Sequence, residues 1–344
     1  MGFPMSINTR SFLSTSLQLL LSLVILCAAA WGGLALYYQL PVKMPWLAVS
    51  LALWAGLSML ALVQLWRNSL WQGVLIYIVL HAVLLIWWNS LTPSNQHLWE
   101  DDVAQMTTGQ VEGDTVTLFN VRNFDWHTET DYTPRWDTRE YDLSKLQSVD
   151  MLTSHWGMDA IAHVLVSFGF DDDQFVTFSV EIRKKKGQTF SEVAGFFKQY
   201  ELSILATDER DSIGVRPNVR GEDTFLYRID MPADIRRQLF LSYIEQANQL
   251  IEEPRFYNTV TANCTTLVFG MMQHISGGLP LDARLLLTGY LPSYIDELDG
   301  LTDGFDLEQL RTAGRITERS KQAANSENYS KIIRQGVPGW SSKN

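Results

Sequence analysis

The chain has 344 residues, and its 38 acidic and 27 basic residues leave a net charge of −11, which argues against a nucleic-acid partner. The charge is distributed unevenly: residues 1–99 contain no Asp or Glu, and Arg10, Lys43 and Arg67 are their only bases. A water-soluble fold has no reason to exclude carboxylates over such a length, whereas a bilayer does.

Three apolar runs fill that first part: Ser16–Leu40, Trp46–Trp66 and Leu70–Leu91. Each reaches the ~20 residues that span a hydrocarbon core as helix. Tyr37, Tyr38, Trp46, Trp66, Trp71, Trp87 and Trp88 lie toward their ends, where amphipathic rings prefer the headgroup level. The connections Pro41–Pro45 and Arg67–Ser69 are short enough to require helical hairpins. The first run exceeds the 7–15 apolar residues of a signal-peptide core, and two more spans follow it. Cys27 follows Val24-Ile25-Leu26 rather than the small residue of a lipoprotein signal. Residues 1–92 are therefore expected to form a three-helix transmembrane region. Arg10 and Arg67 on one side against Lys43 on the other place the N-terminus in the cytoplasm and the remainder outside.

The second part, residues 93–312, reads as an α+β domain. Leu91–Thr108 is a polar connector and Asp114–Arg122 alternates as a strand, while Asn123–Leu143, rich in Trp, Tyr, Asp and Arg, reads as an ordered loop. Ala162–Phe170 and Gln174–Arg183 flank Asp171–Asp173 as a β-hairpin. Phe190–Tyr200 and Pro232–Glu253 read as helices, the latter with Ile235, Leu239, Ile244, Ala247 and Ile251 on one face. Phe225–Ile229 is a short strand, and Tyr257–Gln273 reads as a loop entering a helix at Asn263–Thr265. Residues 313–344 are polar and read as a poorly ordered tail.

Cys264 is the sole thiol of the second part and sits at the predicted helix start, in Thr-Ala-Asn-Cys-Thr-Thr. A lone thiol in an oxidising compartment is a liability unless it is used, although a buried Cys also serves as a small apolar residue. Helix-start amides capped by Asn263 or Thr261 would stabilise a thiolate, and would also stabilise an oxyanion formed by its attack. A nucleophilic thiol needs a base. His81 lies in a span, His97 in the connector, His127 in the aromatic loop and His274 far along the same helix, which leaves His155 and His163. His163 opens a strand, a rigid position, and Glu181 on the partner strand is placed to orient it; His155 reads as lying in an irregular segment. Other readings are a core histidine at His163 and a solvated Glu181 paired with Arg183. The histidines and cysteines lack metal-ligand spacing, the glycines form no phosphate-cradling motif, and no cofactor is implied.

The segments NVRNFDW, AHVLVSFGF, FSVEIR, YELSILATDERD, RGEDTFLYR and FYNTVTANCTT, in this order between about Pro93 and Gln273, resemble the bacterial family named for the N-terminal periplasmic domain of lipoprotein N-acyltransferase (Lnb). That resemblance implies a permuted papain-like, NlpC-type thiol fold. In such a fold a strand-opening His comes first, a polar residue on the next strand follows, and a helix-start Cys comes last, the order of His163, Glu181 and Cys264. A Tyr upstream of the Cys recurs in the pattern, matched by Tyr257. The implied chemistry is a thioester at Cys264, with Tyr257, Asn263, Arg183 and Arg220 as the substrate-contacting set. Arg122, Arg183, Arg210, Arg216 and Arg220 recur as a group able to hold an anionic headgroup, unless Asp208, Glu209, Asp211 and Glu222 nearby neutralise them.

The expectation is a multi-pass protein of the bacterial inner membrane with its C-terminal domain in the periplasm. It would act as a cysteine acyltransferase or hydrolase on membrane lipid or lipoprotein. The alternatives are an NlpC-type cell-wall peptidase or amidase, and a non-catalytic envelope scaffold.

Overall fold

The computed structural model describes residues 9–67 and 70–340, with the backbone alone for residues 9–13. Two compact units are distinguished: residues 1–93 with 196–199, and residues 94–195 with 200–344.

The first unit consists of three helices: α1 (Thr9–Gln39), α2 (Met44–Arg67) and α3 (Leu70–Ser90). All three are long and apolar enough to cross a membrane, and most of their surface is uncovered hydrocarbon. With neighbouring helices no more apolar than lipid, close backbone approach supplies the packing. Gly73 of α3 lies against the α2 backbone at Ala61 and Leu65, where a Cβ would collide. The Trp54 indole donates to the Ala29 carbonyl at 2.8 Å, tying α2 to α1. The side chain of Arg10, on which the orientation partly rests, and connector residues 68–69 lie outside the described residues.

The second unit is built on a mixed sheet. In chain order its elements are β1 (Thr108–Glu112), β2 (Thr115–Arg122), β3 (Asp125–Trp126), β4 (Tyr132–Thr133), β5 (Trp136–Asp142), β6 (Leu146–His155), β7 (Ala162–Phe170), β8 (Phe175–Arg183) and β9 (Glu201–Thr207). Then come α4 (Glu209–Ser212), α5 (Val215–Asn218), β10 (Asp223–Ile229), α6 (Ala233–Glu252), α7 (Thr266–Ser276), α8 (Leu291–Asp296), α9 (Leu307–Gly314), α10 (Thr317–Ala323) and α11 (Tyr329–Ile333). The sheet runs β1-β2-β9-β8-β7-β6-β10, with β5 on the far side of β2 and β3–β4 a separate hairpin. Pairing is antiparallel except between β2 and β9.

Alternation along β7 and β8 divides their side chains between two faces. Val164, Val166 and Phe168 pack with Phe178 and Val180 against Leu239, Phe240 and Tyr243 of α6. On the other face Leu152, Leu165 and Leu226 meet Ile316, Tyr329 and Ile333. Between those apolar patches and the hairpin turn lies a buried ion network. Arg334, fully buried, donates to Asp150 at 2.8 Å and to both Glu209 oxygens at 2.6 and 2.8 Å. Arg228 holds the other oxygen of Asp150.

Four expectations are corrected here. Asn123–Leu143 is not a loop: β5 pairs with β2 over most of its length, and Asp211 pins the aromatic hairpin by accepting from the Phe124 amide and the Trp126 indole. Phe190–Tyr200 forms only one 3-10 turn, Ala194–Phe196, and Gly195 within it lies against Tyr257 and Thr259. His155 does not sit in an irregular segment but ends β6, paired with Ala162. The expected tail, as far as it is described (residues 313–340), is not free: α10 and α11 cover the sheet and deliver Arg334 to its carboxylates.

Candidate active site

His163 opens β7, where the register with β6 sets it across from Ser154 and on the same face. Ser179 and Glu181, two residues apart on β8, point to that face as well. The imidazole Nε2 lies 2.8 Å from the Ser179 hydroxyl and 3.2 Å from Glu181 Oε1, and the Ser179 hydroxyl donates to Glu181 at 2.6 Å. Nε2 is thereby engaged, and the imidazole and the Cys264 thiol each shift the other toward its charged form. Arg216 backs the carboxylate at 3.7 Å and is itself held by Glu222 at 3.0 Å, which accepts from Ser154.

Cys264 is brought in by the turn before α7. Asn263 organises that turn: its Oδ1 accepts from the Thr265 and Thr266 amides at 2.9 and 2.8 Å, its carbonyl accepts from Leu267, and its amide group donates to Thr259. These bonds satisfy amides that a helix start otherwise leaves open. They also remove those three N–H groups from the oxyanion role expected of them. Asn263 is buried, with both polar atoms of its side chain committed to this turn.

The electrostatics favour a charge-separated pair. Burial pulls the His163 imidazole down, but the Glu181 charge and the bonds to Cys264 and Glu181 prevail over burial and Arg216, raising it to about 9. Burial pushes the Cys264 thiol up, yet the hydrogen bond and charge of His163, with the Val164 amide and the Thr265 hydroxyl, bring it below its ordinary value. Glu181, despite burial, is held well below the usual carboxylate range by His163 and Arg216. Both shifts favour the imidazolium–thiolate form over the neutral pair. The Tyr257 hydroxyl, raised by burial and then by the Cys264 charge, stays protonated beside it.

Two cavities border this pair, one at each partner. An apolar one of about 320 Å³ reaches Cys264 and Thr265, with Val164, Val166, Leu239, Phe269, Met272 and Leu291 among its walls. A polar one of about 440 Å³ reaches His163 and Glu181, bordered by Arg122, Arg216, Arg220, Glu222 and Trp126. No side chain from α7 reaches that second cavity.

The expected site residues therefore divide. His163, Glu181 and Cys264 are brought together, Tyr257 lies close, and Arg220 lines the polar cavity. Arg183 does not join them. It donates to the Val103 and Ala104 carbonyls and to Asn95, stacks on Trp99 at 4.3 Å, and burial lowers it to about 10. Of the other arginines, Arg122 is committed to Asp211 and Arg216 to Glu222. His155 contacts Thr153 and Phe225, and burial lowers its pKa. Sequence reasoning misses Ser179, and it names Arg216 only as one of the headgroup arginines rather than as the cation behind Glu181. The i, i+2 spacing of Ser179 from Glu181 is the signal that would have found the serine.

Fold and site together define a mixed α/β domain that presents a buried Cys–His–carboxylate constellation and follows three apolar helices. Residues 132–293 match the family model described as Lnb N-terminal periplasmic domain, so the family resemblance seen in the sequence is shown for that stretch. The match takes in His163, Glu181, Tyr257 and Cys264; it leaves NVRNFDW outside and runs beyond Gln273. No curated protein matches the chain, and neither does any solved structure.

Proposed function

We propose that the protein is a membrane-anchored thiol enzyme that carries an acyl group as a thioester on Cys264. The observation that supports this reading best is the apolar cavity ending at the thiol, because an alkyl chain is the substrate part that such walls accommodate. In the first half-reaction the Cys264 thiolate attacks the donor's ester or amide carbonyl. As the carbon–sulfur bond forms and the donor bond breaks, the His163 imidazolium gives its proton to the departing group. The protonated Tyr257 hydroxyl is the oxyanion donor in this scheme. In the second half, neutral His163 takes a proton from an amine, hydroxyl or water entering through the polar cavity. The acceptor attacks the thioester and the thiolate leaves, restoring the ion pair.

The order of His-bearing strand, carboxylate-bearing strand and Cys-bearing helix supports a permuted papain-like arrangement. Membrane-length helices beside a domain of a periplasmic family favour the bacterial inner membrane and a lipid or lipoprotein substrate. Hydrolysis of cell-wall peptides would use the polar cavity and leave the apolar one without an occupant. A scaffold that only binds has no use for a thiol lowered below its ordinary pKa. Intact-mass analysis of the protein extracted from membranes tests the proposal: a fatty-acyl adduct that maps to Cys264 and is released by hydroxylamine is expected. Persistent absence of any adduct, also after incubation with phospholipid or diacylated lipoprotein, would count against it.

A further inference from the structure

Between α7 and α8, residues 277–290 form a segment with two 3-10 turns, Ala283–Leu285 and Thr288–Tyr290. Its apolar side chains face two ways. Leu285, with Leu291 just beyond the segment, is buried in the cavity wall. Leu281, Leu286, Leu287 and Tyr290 are instead 84, 43, 42 and 45% exposed. The loop after β6 lies alongside: the Gly289 amide donates to Ala160 at 3.0 Å, and a Cβ at Gly289 would strike the Asp159 carbonyl. Met158 of that loop is 61% exposed. The charges of the segment are spent internally, because Arg284 binds Asp282 at 2.8 Å and Glu297 at 2.6 Å.

We infer that Met158, Leu281, Leu286, Leu287 and Tyr290 form a docking surface that inserts into the interfacial layer of a lipid bilayer. Contiguous exposed apolar side chains mark an interaction site. The occupant is a membrane for three reasons. Three helices of membrane length make a bilayer a permanent neighbour of this chain. The segment's own two charges, Asp282 and Arg284, pair with each other, which lowers the cost of bringing them to a low-dielectric layer. The same turns wall the apolar cavity, so docking gives an alkyl chain a path that avoids water. Tyr290 supplies the amphipathic ring that settles at the headgroup level. This surface does not depend on the thioester reading and would serve a lipid-binding scaffold equally.

Electron paramagnetic resonance of the full chain in phosphatidylethanolamine–phosphatidylglycerol nanodiscs tests it. In a Cys27→Ser, Cys264→Ser background, nitroxide is attached through Leu281→Cys or Leu287→Cys, with exposed Glu327→Cys as the reference. The oxygen-to-nickel accessibility ratio is expected to be several-fold higher at Leu281 and Leu287 than at Glu327, and to persist at about 1 M salt, which screens charge attraction but not burial. Equal ratios at all three sites would overturn the inference. So would a difference that disappears in salt, or spin–spin broadening that shows a second copy on the patch.

Discussion

The Glu181 carboxylate lies 3.2 Å from the His163 imidazole, and its charge is the main influence that keeps that imidazole cationic against burial and so favours a thiolate at Cys264. Glu181→Gln keeps the shape and removes the charge. The imidazolium then loses its main support and titrates below about 9, and the thiol loses a cationic partner and titrates higher. Iodoacetamide alkylation of Cys264 measured against pH should shift its midpoint alkaline by ~1–2 units. An unchanged midpoint would show that the carboxylate is electrostatically idle.

His163→Asn and His155→Asn separate the two candidate bases. At pH 6 an unassisted thiol with a pKa of ~8.5 is almost wholly protonated, so His163→Asn should slow alkylation by ~10²-fold. His155→Asn should leave the rate at the parent's level, because that ring contacts Thr153 and Phe225. The reverse pattern would transfer the role of base to His155.

Met272→Trp fills the apolar cavity from the α7 side. Overpacking costs ~1–3 kcal/mol, seen as a lower melting temperature. Any acyl adduct on Cys264 should shorten, while alkylation by the small iodoacetamide persists. An adduct of unchanged chain length would place the alkyl chain elsewhere.

Arg334→Met leaves Glu209 buried without its cation and Asp150 with Arg228 alone, and should cost ~3–5 kcal/mol in chemical denaturation near neutral pH. The pH dependence carries a sign. In the parent, burial pushes Asp150 up but Arg334 and Arg228 hold it below its ordinary value. Its contribution is thus present above the unfolded value and is lost as pH falls through the folded one. In the variant burial gains weight and the folded carboxyl binds its proton more readily, so the deficit relative to the parent should narrow as pH is lowered. A deficit that stays constant with pH would mean that only packing was lost.

How far the sequence discloses this molecule depends on how each element meets solvent. The membrane helices are legible because nothing in 99 residues interrupts them with a carboxylate. The β7–β8 hairpin and α6 are legible from alternation and from the period of Leu239, Ile244 and Ala247. β6 escapes because both of its faces are buried, so Asp150, Thr153 and Ser154 occupy interior positions that a half-exposed strand would give to apolar residues. Cys264, His163 and Glu181 can be read from residue type, position and family likeness. The commitments of Arg183 and Asn263 cannot, since they depend on carbonyls and amides that become available only once the chain has turned. The final segment misleads most: Arg334 looks like a solvated charge, and its partners lie 125 and 184 residues upstream.

That separation bears on biogenesis. β6 and α4 carry Asp150 and Glu209, but the arginine that binds both is made 184 and 125 residues later. The sheet cannot close stepwise behind the membrane helices as it is made. A nascent chain halted before residue 334 should remain protease-sensitive and dependent on holding factors, and the emergence of Arg334 should set the moment of folding.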